Sequence, residues 1–107
     1  MNDSILLIFT NAPDRAVADS IATALIEARL AACVNVLGQC DSVYRWQGRL
    51  ERACEVPMII KTSAHNYSAL EAELRRLHPY EVPELLAVPV AYGLPGYLDW
   101  VRAESAP

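Results

Sequence analysis

The stretch ACVNVLGQCDSVYRWQGRLERACEVPMIIKT, Ala32 to Thr62, decides the fold. Two runs rich in Val, Ile, Cys, Tyr and Trp flank Gln47-Gly48-Arg49, which reads as a hairpin turn. The first run has one weak break, Gly38-Gln39, where a β-bulge is natural. In the second, Pro57 has no N–H for a ladder and must face an edge or a bulge. Two strands of roughly 13 residues at ~3.4 Å each reach about 45 Å, whereas ordinary strands have about 5–6 residues. The hairpin therefore projects beyond the body that this chain can build. Its outer half carries Val43, Tyr44, Trp46 and Leu50, and a long exposed edge invites pairing with another chain. A homo-oligomer whose arms shelter one another is expected.

Upstream, Ser4 to Thr10 is a short apolar run ending in the turn former Asn11, which reads as a central strand buried on both faces. Pro13 and Asp14 suit the first turn of a helix. Val17, Ile21, Ala24, Leu25 and Ala28 then recur at helical spacing to a helix end near Leu30. Downstream, Ser63 is the expected N-cap of a second helix with the stripe Tyr67, Leu70, Leu74 and Leu77, stopped by His78-Pro79. Leu85 to Ala91 reads as a last strand, with Pro89 at an edge or bulge. Gly93 to Gly96 turns the chain into a short helix from Tyr97 to about Ala103. The order βαββαβ plus a C-terminal helix predicts one α+β domain over residues 1–107, a ferredoxin-like sandwich with helices on one face of an antiparallel sheet. Its open face needs a cover, which oligomer partners would supply.

Composition agrees. The chain has 107 residues, 53% of them hydrophobic and 21% charged, with a formal charge of −4. Disorder requires the opposite balance. The acidic charge excludes a generic nucleic-acid footprint and a basic membrane-surface patch. No apolar run approaches the roughly 20 residues that span a bilayer. Cys33, Cys40 and Cys54 are odd in number and lack C-x-x-C spacing, which predicts reduced thiols in a cytoplasmic protein. Met1-Asn2-Asp3 carries an acid where a signal peptide carries bases.

The segment His78-Pro79-Tyr80-Glu81-Val82-Pro83-Glu84 resembles the signature of the divalent-cation tolerance (CutA) family. Ala31-Ala32-Cys33-Val34-Asn35, Tyr44-Arg45-Trp46-Gln47-Gly48, Glu55, Lys61-Thr62 and Tyr97-Leu98-Asp99-Trp100 match in order across nearly the whole chain. The resemblance implies a cytoplasmic, non-enzymatic homotrimer, PII-like in architecture, with a link to tolerance of copper and other divalent cations. Family members discussed as copper binders have Cys at the end of strand one and two adjacent His before Pro-Tyr. Here those positions hold Thr10, Leu77 and His78, so only one of the three ligands is present.

Several residues are candidates for chemistry. His78 is either a helix-end cap or a metal ligand. Cys33 reads as a packed thiol. With the turn at Gln47-Gly48, Cys40 and Cys54 fall near opposite each other, either as a packed pair or as thiolates sharing a soft ion such as copper. Glu55, Lys61, Tyr80, Glu81 and Glu84 are assigned to an intersubunit cleft, where carboxylates suit hard divalent ions and Lys with Tyr suits a small anion. Interface ion pairs are the alternative. Tyr44, Trp46 and Trp100 read as trimer contacts. Asn11 to Arg15 lacks the glycines of a phosphate cradle, and no Ser-His-Asp order, H-E-x-x-H or P-loop occurs. Two readings result: a non-catalytic cation-tolerance trimer, or a trimeric sensor of a small anionic ligand.

Overall fold

The computed structural model describes residues 4–107; Met1–Asp3, on which the expectation of no signal peptide rests, lies outside them. Strand β1 (Ile5–Ala12) runs through the apolar segment and two residues beyond it. Helix α1 (Arg15–Glu27) follows, then β2 (Cys33–Val36), β3 (Cys40–Trp46) and β4 (Arg49–Ser63). A 3-10 turn at Ala64–Asn66 leads into α2 (Tyr67–Leu77), and β5 (Leu86–Pro89) and α3 (Pro95–Glu104) complete the chain. The sheet is antiparallel in the order β2-β4-β1-β5, with β3 extending beyond β2 along β4.

Burial follows the period of two along the central strands. Ile8 and Ala12 on β1, and Val56, Met58 and Ile60 on β4, face a core shared with Ala18, Ile21 and Leu25 of α1 and Leu70 and Leu74 of α2. Asp14 rather than a first-turn residue opens α1: its carboxylate accepts the Val17 N–H at 2.9 Å, which satisfies one orphan donor. The helix ends earlier than the expected Leu30, through a Leu30-to-Leu25 N–H···O bond with Arg29 at φ 57. That left-handed position usually takes glycine. Arg29 fills it while its guanidinium donates to the carbonyls of Ala103 and Ala106, tying α1 to the end of α3.

Ser63 is not the side-chain cap its position implied. Its hydroxyl bonds Ser105 Oγ at 2.9 Å inside a buried polar seam, where Asn66 Nδ2 also donates to the Ser105 carbonyl at 2.7 Å. This seam seats α3 against the β4–α2 junction.

The two proline expectations hold. Pro89 lies on β5, an edge strand. Pro57 lies opposite Leu37–Gln39, where β2 breaks from β3. Val36 pairs with Met58 but Cys40 pairs with Glu55, so three residues on one side face two on the other. That is a bulge at the Gly38-Gln39 break, and the N–H that Pro57 lacks falls where the ladder is interrupted.

The arm ends in Gln47 at φ 50 and Gly48 at φ 80, the two positive angles of a type I′ turn. It makes the molecule 44 Å long against widths of 26 and 24 Å. Gly48→Ala is expected to cost about 1 kcal/mol, measured as a shift in the urea midpoint; an unchanged midpoint would show that the turn tolerates a Cβ.

Candidate functional site

The His78–Glu84 segment leaves α2 and packs against the far end of β1. Three side chains, those of His78, Thr10 and Asn11, fasten it. His78 Nδ1 accepts the backbone N–H of Tyr80 at 3.1 Å, which leaves Nε2–H to donate to the Asn11 carbonyl at 2.7 Å. Thr10 Oγ1 donates to the Glu84 carbonyl at 2.6 Å, and Asn11 Nδ2 donates to Glu84 Oε1 at 3.0 Å. Strand β1 therefore continues through Thr10 and Asn11 because their polar groups are satisfied across the fold.

Between this segment and the arm lies a cleft of about 660 Å³. Asn11 of β1 and Tyr80, Glu81, Val82 and Glu84 of the segment line it, together with Glu55 of β4 and Ser42, Val43, Tyr44 and Trp46 of β3. Glu55 is buried and accepts the Tyr80 hydroxyl at 3.2 Å. Burial foremost, then the charge and hydrogen bond of Glu55, holds the Tyr80 phenol above its ordinary range, so it remains a donor. None of the described residues lining the cleft is a Lys, Arg, His or Cys.

Four of the five residues assigned to an intersubunit cleft, Glu55, Tyr80, Glu81 and Glu84, line this cleft within one chain. Lys61 is not with them. It shares a face of β4 with Glu55 but sits six residues away, roughly 20 Å along the strand, with its ammonium 5.8 Å from the Tyr97 ring centre. Tyr44 and Trp46 line the cleft, while Trp100 stacks near Tyr97 on α3, ring centres 5.6 Å apart. Asn11 is the residue that sequence reasoning missed. It reads locally as a turn former, yet it is both wall and fastener.

The soft-metal candidates are corrected. Cys40 faces Glu55 across the hairpin and Cys54 faces Asp41, so the two thiols lie on opposite faces of the arm. His78 has both ring nitrogens engaged and offers no lone pair to an ion. Thr10, at the position that resembles the copper thiolate of the family, donates its hydroxyl hydrogen bond to the Glu84 backbone carbonyl. Among the described residues no three His, Cys, Asp or Glu converge to hold a metal. The double variant Cys40→Ser, Cys54→Ser is expected to leave copper affinity within about twofold of the parent by titration calorimetry, since no single ion reaches both sulfurs; a loss of tenfold or more would contradict this geometry.

No helix among the described residues is long and apolar enough to cross a membrane. Residues 6–104 match the family model described as CutA1 divalent ion tolerance protein. The chain is 44% identical over 99 residues to the divalent-cation tolerance protein CutA of Thermus thermophilus, covering 92% of this chain and 96% of that one. It is 47% identical over 99 residues to Protein CutA of Mus musculus, of whose length it spans 56%. The crystal structure of CutA from Xylella fastidiosa superposes with a TM-score of 0.94 at 44% identity, over 96% of this chain and 99% of that one.

Proposed function

Because the chain belongs to the CutA1 divalent ion tolerance family, we propose that it is a non-catalytic, homotrimeric protein of divalent-cation tolerance that binds such ions through the oxygens of its acidic cleft. The observation that carries this reading is the lining: Glu55, Glu81 and Glu84 face a cleft with no positive side chain among its described residues. Oxygen donors suit hard divalent ions, and three carboxylates with no cation beside them repel an anionic ligand. A copper site of thiolate and imidazole does not fit, because His78, Thr10, Cys40 and Cys54 are engaged or dispersed. Copper is expected only as a weak, carboxylate-held ion.

The acids of one chain do not converge, so the remaining donors are assigned to a second copy. Leu50 is 73% exposed at the arm's tip and Leu86 is 60% exposed on the edge strand β5, apolar surface that a partner would cover. The strand order, with α1 and α2 on one face, supports a ferredoxin-like subunit whose open face is covered in a PII-like trimer. Three free cysteines fit a reducing cytoplasm.

Calorimetry with Mg²⁺, Zn²⁺, Cu²⁺ and a nucleotide panel tests this, with the solution mass measured by light scattering. Saturable ion binding, weakened at least about tenfold by Glu55→Gln, on a particle three times the 11.8 kDa chain would support it. A metal-silent, nucleotide-binding protein would replace it with the anion sensor, and a monomer would remove the trimer.

A further inference from the structure

The cleft has a second chemistry beside its acids. Ser42, Val43, Tyr44 and Trp46 of β3 line it, so from the level of Glu55, which pairs with Cys40, to Trp46 the groove runs roughly 20 Å. Arg49, paired with Trp46, lies outside the lining. Glu55 is only 7% exposed; one of its oxygens receives the Tyr80 hydroxyl and no described residue donates to the other. Glu84 likewise has one oxygen on Asn11 and the other open.

An inorganic ion needs its ligands gathered at about 2.0–2.6 Å from one point, which the described acids of a single chain do not provide without a second copy. A flexible chain of ammonium groups separated by methylenes has no such requirement: separate carboxylates can take its charges one by one, with aromatic faces beside them for the stems and for cation–π contact. A cleft of about 660 Å³ admits such a ligand. We propose that the groove binds a linear aliphatic polyamine, with ammonium groups on Glu55, Glu81 and Glu84 and the remaining stem against Tyr44 and Trp46. This rests on the cation-binding reading of the same cleft and names an organic class of cation for it.

The test is calorimetry of the full chain with spermidine, and with Mg²⁺ as comparator, at matched ionic strength. Saturable binding is expected at one site per chain. Glu55→Gln should weaken it about tenfold. Trp46→Leu should weaken it about threefold or more, and Trp46→Phe should retain it. Glu27→Gln, an exposed acid on α1 away from the cleft, should leave it unchanged. Size-exclusion elution of each variant confirms that its assembly matches the parent. No saturable spermidine binding overturns the proposal, as does binding that weakens equally in Glu27→Gln and Glu55→Gln and ignores Trp46→Leu. Mg²⁺ binding without spermidine binding overturns the polyamine and leaves the divalent reading intact; silence to both overturns the two together.

Discussion

His78→Ala is expected to lose about 2–4 kcal/mol of folding stability. The imidazole is 6% exposed and bridges two backbone groups far apart in sequence, the Asn11 carbonyl and the Tyr80 N–H. Alanine removes both bonds, leaves a void the size of the ring and frees the segment that forms one wall of the cleft. Urea unfolding gives the loss, and amide exchange at Tyr80 should accelerate well beyond that of neighbouring loops. A variant within about 0.5 kcal/mol of the parent, a value ordinary for surface changes, would show that the ring is not what holds the wall.

The second large effect lies at the centre of the sheet. Ile60 is fully buried, paired with Ile8 on β1 and Val34 on β2. Ile60→Ala deletes atoms from a position with strands on both sides, where collapse is hindered, and should cost about 2–5 kcal/mol. Leu50→Ala makes the same class of change at a side chain 73% exposed on the arm. Its effect on the unfolding of a dilute chain should stay within about 0.5 kcal/mol. If the arm tip is a contact between copies, Leu50→Ala should instead shift the concentration at which the assembly dissociates. Comparable losses at the two positions in unfolding would mean that the apolar arm is buried in the species being unfolded.

Where the information was local, it was legible in the residues. The apolar run at Ile5–Phe9, the turn at Gln47-Gly48, the bulge at Gly38-Gln39 and both proline placements follow from alternation and backbone chemistry. Three of the departures share a physical origin, since each depended on a partner distant in sequence. Ser63 has the composition of a cap, but its hydroxyl is taken by Ser105. His78 has the position of a helix-end cap, but its ring reaches Asn11. Asn11 and Thr10 look like the end of a strand until Glu84 arrives to satisfy them. Cys40 and Cys54 failed by a single residue. Continuing the β2 register, in which Cys33 meets Lys61, would bring the two thiols opposite each other, and the bulge moves Cys40 onto Glu55. A slip of one residue exchanges faces. Lys61 stands apart: it is assigned to a cleft between subunits, and in the single chain it lies too far along β4 to line the cleft that holds Glu55.

The bulge at Leu37–Gln39 also has a mechanical meaning. Beyond it the arm is a lever of seven paired rungs, about 23 Å long. A change of about 10° in the bend at its root would sweep the tip through roughly 4 Å, more than the length of a hydrogen bond. Three inconspicuous residues thus act as the angular adjustment of the molecule. They aim Trp46 and Leu50, and the aperture of the cleft follows. Small sequence changes there should move distant surfaces without touching them.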